Sequence, residues 1–519
     1  MTKTKKPYPG DFRTSFAFST MIWPVAAAAT FITSFFMLYL TDYSGIDQAL
    51  GRVGISATVG TILLLVARIV DIVDDPLQAW IIDNAKEGRL GKYRKFAFAN
   101  ILLVSVAVIC VFSIPGLIKS NLVLLCVWIG FFYLIYELGV AFNTSMPLIQ
   151  KISYDTKLRT KWTLLMRIWV IVILVPVYFY IPIVTMVDRG VGNLGRSFSL
   201  VCVILMIVLG VVSFTGVLGL KEKTGESKSA AKKEERLKIR EVAWMFAKNK
   251  PLMVHTGAFF LANMVFGLST AIGIYFLKWY YSADLATGIV DADRYAVIYG
   301  VYAAAGLIPN FVAPFISGTV IKMFKTYARA TNACLFLGVT LYSVMAVLFF
   351  TGVLSISPYI YIFCTLLSGF ITGTAVIPQT LLWTECADYA EYKTGRKMSA
   401  LVNSANNMLG KAQAAIASVI TGGILIAVGY SVNSETGNYM GDVSNLPGMV
   451  SGFGIFLTVV PAVVMALSWL MYRFLYPITP EVQQQMVMEL QSRKEADPGA
   501  DASIVTTTKH ENTESDNQA

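Results

Sequence analysis

The sequence predicts an all-α membrane protein whose twelve transmembrane helices form two bundles of six. Its 519 residues are 55% hydrophobic and only 14% charged, whereas soluble domains carry about 25% charged residues. About twelve apolar stretches reach the roughly 20 residues that a membrane helix needs. Runs of this length exclude a transmembrane β-barrel, because barrel strands are short and alternate in polarity.

The apolar stretches fall into two groups of six, separated by a charged segment. They lie near residues 15–41, 54–82, 96–116, 121–150, 162–187, 197–220, 252–280, 294–318, 331–353, 358–386, 399–429 and 447–475. We therefore predict an N-terminal six-helix bundle over residues 1–220, a cytoplasmic linker over 221–250 and a C-terminal six-helix bundle over 251–476. The polar residues 477–519 predict a disordered cytoplasmic tail. This arrangement is typical of the major facilitator fold, in which substrate binds near the midplane between the bundles.

Basic residues indicate how the chain lies in the membrane. The linker 221–250 holds ten Lys and Arg residues against five acids, and the loop 151–161 adds four basic residues. The loop 430–446 has neither Lys nor Arg, which places it outside the cell under the positive-inside rule, from which Arg189 and Arg196 depart. We expect a multi-pass protein of the bacterial inner membrane with both termini in the cytoplasm. The net charge of +10 then reflects cytoplasmic loops and predicts no nucleic-acid partner.

The pattern of cysteines and histidines does not indicate an enzyme or a metalloprotein. The six cysteines are scattered without a CxxC pair, and His255 and His510 are the only histidines. Neither a disulfide framework nor a zinc site follows from this pattern, and no nucleophile–base pair is evident. We therefore predict a transporter that uses no cofactor apart from a coupling ion.

The second apolar stretch carries a cluster of charges, formed by Arg68, Asp71, Asp74 and Asp75. Ionisable residues inside a bilayer are costly and usually face a cavity or a partner. At about 100° per residue, Arg68, Asp71 and Asp75 share one helix face, and Asp74 lies at its edge. Three carboxylates against one guanidinium leave a negative site that suits Na⁺ or a shared proton. In the alternative interpretation, the acids only pair with Arg68 and with a basic residue from another helix.

Lys411, in the eleventh apolar stretch, is the candidate basic partner of these acids. A buried lysine needs an anion, and beside the acids it would compete with the free cation and link the two bundles. In the alternative interpretation, its side chain extends from the helix end to the membrane surface.

Further polar and aromatic residues inside apolar stretches are candidates for binding substrate. They are Arg167, Asn143, Glu137, Trp23 and Gln379. Arg167 also fits the cytoplasmic edge of its helix, because Arg159 and Lys161 precede it closely. Trp23 also fits the aromatic belt that membrane proteins form at the lipid–water interface.

These motifs resemble the glycoside–pentoside–hexuronide:cation symporters of the major facilitator superfamily. The segment Leu65–Ile81, followed by Gly91-Lys-Tyr-Arg-Lys, carries the resemblance most specifically. It is supported by Thr41-Asp42, Asp155–Arg159, Tyr275–Tyr280 with Lys278, and Asp388–Lys393. The resemblance covers nearly the whole transmembrane region. It implies two six-helix bundles and the import of a sugar driven by Na⁺, H⁺ or Li⁺.

The resemblance also implies roles for individual residues. Asp71 and Asp75 match the acids that bind the cation in that family, and Lys411 matches a lysine near the cation. Arg167 matches an arginine near the sugar. Asp74 stands where the best-known member of the family has an amide, so this chain has an extra negative charge. That difference leaves the choice between Na⁺ and H⁺ open.

Two departures from the family concern the substrate. Ala26 in the first helix, and Phe142 beside Asn143 in the fourth, stand where the best-known member has acids that hold the sugar. With those acids gone and Arg167 retained, an anionic sugar such as a hexuronide becomes a candidate substrate, and Glu137 becomes a substitute acid. The alternative function is transport of a lysolipid or another amphiphile by the same fold. We expect a monomer.

Overall fold

The computed structural model describes residues 12–67, 93–144, 156–220, 249–394 and 399–496, which are mostly helical. The first six long helices are α1 (Phe16–Tyr43), α2 (Ile55–Ala67), α3 (Tyr93–Val111), α4 (Leu122–Ala141), α5 (Thr156–Tyr178, continued by Tyr180–Val191) and α6 (Leu194–Gly219). The next six are α7 (Lys250–Tyr281), α8 (Ala292–Phe324), α9 (Tyr327–Phe350), α10 (Pro358–Thr394), α11 (Ser399–Ala427) and α12 (Leu446–Leu470, continued by the π-helix Met471–Leu475).

These helices correspond one to one with the twelve apolar stretches of the sequence. Within the described residues, nine helices are long and apolar enough to cross a membrane, or ten if both parts of α5 form one span. Ile55–Ala67 and Ala415–Ala427 are shorter apolar helices. Short helices Ile46–Leu50, Gly116–Lys119 and Val353–Ile356 lie in the connections. Strands β1 (Ala283–Asp284) and β2 (Ile289–Val290) form a small antiparallel hairpin between α7 and α8.

The helices pack in two groups that follow the two halves of the chain. In the first half α1 contacts α5 and α6, and α3 contacts α4 and α6; in the second, α7 contacts α11 and α12, and α8 contacts α10. Small residues allow close approach, as membrane helix packing requires. A Cβ atom at Gly139 would meet Val104 at 2.8 Å, and one at Gly216 would collide with Thr20.

Two helices of the first half are irregular where they border the space between the halves. Helix α1 contains two π-helical segments, Phe31–Phe35 and Tyr39–Tyr43; such segments are rare and frequently mark functional sites. Helix α5 bends by 44° between Tyr178 and Tyr180. Pro176, two residues earlier, cannot donate the backbone hydrogen bond of a regular helix, which accounts for the bend.

The loops after the odd-numbered helices form one face of the molecule, called the distal face here, and the sequence predicts that it is extracellular. Asp42 of α1 and Lys278 of α7 form an ion pair there between the two halves. Asp42 is 1% exposed and Lys278 is 3% exposed. The Tyr430 hydroxyl lies 3.0 Å from both carboxylate oxygens of Asp42, and Thr41 Oγ1 lies 2.7 Å from one of them. The carboxylate is thus paired and hydrogen-bonded by residues from both halves.

A second contact across the distal face supplies hydrogen-bond acceptors for the first backbone N–H groups of α6. The first backbone N–H groups of a helix have no partner inside the helix. Here the N–H of Leu194 donates to the carbonyl of Glu435 at 3.3 Å, and the N–H of Gly195 donates to that of Ser434 at 2.9 Å. A Cβ atom at Gly195 would collide with the Tyr43 carbonyl, so glycine permits this approach.

The prediction of a disordered tail is wrong for part of residues 477–519. Helix α13 (Pro480–Ala496) follows α12 directly and contacts α10. Thr479 caps it, since its Oγ1 accepts from the N–H of Val482 at 3.4 Å, and Met486 is buried. Its Glu, Gln, Met, Leu and Lys residues are good helix formers, so a polar composition did not exclude an ordered helix. Residues 497–519 and the linker residues 221–248 lie outside the described part of the chain.

We expect the change Lys278→Met to open the distal face. Removing one partner of a buried ion pair costs about 3–5 kcal/mol because the other charge stays buried without compensation. Only the closed conformation bears this cost, since opening returns Asp42 to water. Ser431 is fully buried on this face, and its hydroxyl has no hydrogen-bond partner in the described structure. A Ser431→Cys reporter should therefore react at least ten times faster with a membrane-impermeant maleimide in the Lys278→Met background.

The matched control is Arg189→Gln, which removes the exposed ion pair between Arg189 and Asp293 on the same face. Exposed pairs contribute about 0–1 kcal/mol, so labelling should change little. The double change Asp42→Asn with Lys278→Met removes both charges and should restore slow labelling. Equal labelling rates in Lys278→Met and Arg189→Gln would contradict the interpretation.

We expect the change Gly422→Ala to disturb the contact of α2 with α11 across the two halves. A Cβ atom at Gly422 would collide with the side chain of Thr61, whereas one at Gly423 would meet nothing within 4 Å. Overpacking of this kind costs about 1–3 kcal/mol. Gly422→Ala should lower the thermal unfolding midpoint of the purified protein. Gly423→Ala, the matched control, should leave it unchanged or raise it, since alanine favours a helix over glycine; the same decrease in both variants would refute the contact.

Candidate functional site

A cavity of about 460 Å³ lies between the two halves. Helices α1, α2 and α5 of the first half and α7, α8 and α11 of the second contribute to its wall. The volume falls in the range of roughly 300–1,000 Å³ that small-molecule sites occupy. The position between the halves is the one at which transporters of this architecture bind substrate.

The cavity is closed toward the distal face by aromatic side chains. Phe35 of α1 and Tyr299 of α8 both border it, and their ring centroids are 6.5 Å apart. Phe35 also packs against Tyr180 at 5.2 Å. The ion pair of Asp42 with Lys278 lies two helical turns beyond Phe35 along α1. Two layers, one aromatic and one charged, therefore separate the cavity from the distal face.

Six polar side chains of the cavity wall share one feature: each already donates a hydrogen bond to a backbone carbonyl of a helix. They are Thr30 (to Ala26), Thr33 (to Ala29), Asn263 (to Phe259), Thr270 (to Phe266), Asn310 (to Gly306) and Gln413 (to Phe259 and Phe260), at distances of 2.8–3.2 Å. A hydroxyl that donates in this way retains only acceptor capacity, and Gln413, whose amide nitrogen donates twice, retains only its carbonyl oxygen. Asn263 donates once and keeps one N–H beside its oxygen. These six side chains therefore offer more hydrogen-bond acceptors than donors to a bound molecule.

Aromatic and apolar groups complete the cavity wall. Tyr178, Tyr299 and Tyr302 contribute rings and hydroxyls, and Phe266 and Ile274 contribute apolar surface. Among the described side chains that line the cavity, none is charged. A molecule that fits this wall donates many hydrogen bonds and presents flat apolar faces to the aromatic rings, as a hydroxyl-rich ring compound does.

The structure places four of the sequence-predicted substrate residues away from this wall. Trp23 is 4% exposed and packs against Phe16 at 5.2 Å, and its indole N–H has no partner in the described structure. Gln379 is buried beside a gap of about 20 Å³ that Asn263 also lines, and it does not line the cavity itself. Glu137 lies half-buried near the end of α4, and Asn143 lies just beyond that helix. A direct role in substrate binding stays a prediction for these four residues.

The predicted cation site lies outside the described residues. Arg68, Asp71, Asp74 and Asp75 follow directly after the described end of α2. The backbone of Lys411 lies in α11 and that of Arg167 lies in α5, but their side chains are likewise outside the described part of the structure. The cavity reaches toward these segments, because Leu64 of α2 and Gly410 of α11 both line it.

Several residues of the cavity and of its distal closure escaped the sequence analysis. Asn263, Asn310 and Gln413 are amides within long apolar helices. Their position inside apolar stretches was the feature of the sequence that could have identified them. Asp42 and Lys278 appeared only as parts of motifs, because nothing in one sequence shows that residues 236 positions apart form a pair.

The chain is similar to known transport proteins over most of its length. Residues 18–480 match the family model described as MFS/sugar transport protein. The uncharacterized symporter YnaJ of Bacillus subtilis is 22% identical over 93% of this chain and 93% of its own length. The lactose permease of Leuconostoc lactis is 22% identical over 89% of this chain and 68% of its own. The isoprimeverose transporter of Lactiplantibacillus pentosus is 22% identical over 80% and 81%.

Among solved structures, the nucleoside transporter NupG superposes with a TM-score of 0.51 at 12% identity, covering 88% of this chain and 99% of that one. At this identity the likeness supports the fold alone. The family model spans most of the chain and agrees with the two-bundle architecture and the central cavity. The prediction of a transporter rather than an enzyme is confirmed, and the chain belongs to the MFS/sugar transport protein family.

Proposed function

We propose that this protein imports a neutral sugar or glycoside by symport with Na⁺ or H⁺. The acceptor-rich, uncharged wall of the central cavity carries the proposal. Sugar hydroxyls supply donors to acceptor oxygens, and the apolar faces of a sugar ring pack on tyrosine rings. A lactose permease and an isoprimeverose transporter among the relatives support this substrate class. They do not favour the amphiphile alternative.

The uncharged wall favours a neutral sugar over the anionic sugar that the sequence first suggested. A carboxylate accepts hydrogen bonds and donates none, so the oxygen of Gln413, whose two N–H groups already donate to backbone carbonyls, would repel it. Burying a charge without a partner is costly. Arg167 remains the feature that favours an anion, and its side chain lies outside the described structure. A direct comparison of neutral and anionic substrates is therefore the decisive measurement.

The coupling ion is the second part of the proposal. Asp71 and Asp75 follow Leu64 by seven and eleven residues, the spacing of one helix face, and Leu64 lines the cavity. A cation neutralising these acids lowers the cost of closing the two halves around the substrate. The free energy of coupling equals the difference in cation affinity between the two conformations. Lys411, from the other half, is the proposed competing charge.

We expect the change Asn263→Ala to weaken sugar binding while leaving the turnover rate largely intact. One lost hydrogen bond is worth about 0.5–1.5 kcal/mol, so KM should rise up to about tenfold. The measurement is uptake into proteoliposomes, screened across neutral glycosides and hexuronides with and without a Na⁺ gradient. Neutral glycosides should be transported, and hexuronides should neither be transported nor compete.

The matched control is Gln379→Ala, which removes a buried amide in the same half that does not line the cavity. Its KM should stay near that of the unchanged protein. A larger effect of Gln379→Ala than of Asn263→Ala would show that the cavity is not the sugar site. Transport of a hexuronide in preference to every neutral glycoside would overturn the proposed substrate class.

We expect Asp71→Cys and Asp75→Cys each to abolish the stimulation of uptake by a cation gradient while leaving some substrate binding. Asp74→Asn restores the amide of the resembling family and serves as the matched control. It should retain coupling if Na⁺ is the ion, whereas loss of the pH dependence of uptake would identify a proton carried at Asp74. Unchanged cation dependence in both cysteine variants would refute the site.

A further inference from the structure

The outer surface of the second half holds an open groove separate from the central cavity. It has a volume of about 820 Å³ and lies where α8, α9, α10 and α12 meet. Its walls are largely apolar and include Val320, Phe336 and Leu337. Phe336 is 53% exposed and Leu337 is 55% exposed, and a surface of this kind on a membrane helix faces lipid chains.

Two arginines lie at one end of this groove. Arg329 is in the first turn of α9, Arg473 is in the last turn of the π-helix that ends α12, and both line the groove. Both are exposed. Within the described residues, neither guanidinium has a carboxylate oxygen within 4.0 Å.

Glu481, at the start of α13, is an acid whose pKa responds to the charge of Arg329. The pKa of Glu481 is lowered first by a side-chain hydrogen bond with Thr479, and the charge of Arg329 contributes least among the causes. Glu481 is fully exposed, so it leaves the arginines available to another anion.

The arginine end of the groove lies opposite to the distal face. Arg329 follows the loop after α8, and Arg473 lies in the π-helix that ends α12. Both therefore belong to the face that carries the tail helix α13. Trp469 lines the groove one helical turn before Arg473 and packs against Phe336 at 5.8 Å. A tryptophan and arginines at the same level are typical of the region where lipid headgroups lie.

We propose that the groove binds one anionic phospholipid. The phosphate lies between Arg329 and Arg473, whose planar guanidinium groups match phosphate geometry, and an acyl chain follows Phe336 and Leu337 along the apolar wall. Basic pockets between transmembrane helices bind anionic headgroups in this way. The sequence predicts that this face is cytoplasmic, which is the leaflet where anionic lipids create a negative surface potential.

All four helices of the groove belong to the second half. A lipid held there moves with that half and does not bridge it to the first half. The lipid therefore affects the stability of the second bundle and the position of that bundle in the membrane. Loss of the lipid should leave sugar specificity unchanged, which separates this proposal from the proposed transport function.

The test is native mass spectrometry of the purified full-length protein with phosphatidylglycerol or phosphatidylcholine of identical acyl chains. The unchanged protein should retain one phosphatidylglycerol with at least tenfold higher affinity than phosphatidylcholine. The double change Arg329→Gln with Arg473→Gln should abolish that preference. The matched control, Arg189→Gln with Arg294→Gln, removes two exposed arginines from the distal face and should retain it.

Three outcomes would overturn the proposal. The first is equal retention of both lipids by the unchanged protein, which would mean a purely apolar groove. The second is a preserved preference in the Arg329/Arg473 variant with an unaltered melting temperature. The third is complete displacement of the lipid by excess inorganic phosphate, which would identify a site for a free anion. Arg329→Lys keeps the charge without the planar fork and should retain part of the preference if the fold is intact.

Discussion

The buried ion pair of Asp42 with Lys278 is the constraint around which the described conformation is arranged. Two full charges inside the molecule are tolerated only when both are paired and hydrogen-bonded. The carboxylate takes its partners from α1, from α7 and from the loop after α11. All of these groups meet only when the two halves are together. The ion pair therefore stabilises the closed distal face only while the two halves meet there.

The irregular segments of α1 connect this ion pair to the cavity. The π-helical segment Phe31–Phe35 borders the cavity, and the segment Tyr39–Tyr43 carries Asp42. A π-helical turn holds an extra residue, so a small change in winding rotates every side chain beyond it. Thr33, which lines the cavity, and Asp42, which forms the ion pair, thus lie on one helix that contains both irregular segments. The wall of the cavity and the closure of the distal face are therefore connected through one helix.

The fold could be predicted from the sequence because burial in lipid leaves a long apolar signature for each helix. The bends, the cavity and the closure could not, because they depend on which helices face each other. Lys278 shows the limit: its charge inside an apolar stretch was visible, but its partner was not. Gln413 and Gln379 illustrate the same limit. Both are amides in apolar helices, but tertiary packing brings Gln413 to the cavity and leaves Gln379 outside it. Helix α13 was missed for a different reason: its composition is polar, but its residues are good helix formers and Met486 is buried.

The contact of Gly422 with Thr61 has a consequence for how the two halves move. One side of this contact has no side chain, so α11 can roll over α2 without changing a rotamer. A rotation about this contact would have its axis near the distal end of both helices. For a membrane helix of about 30 Å, each degree of rotation about such a point displaces the far end by about 0.5 Å. About ten degrees would thus open the opposite face by about 5 Å, roughly the width of a sugar ring. A small rotation at the closed distal face would thereby open a wide passage at the opposite face.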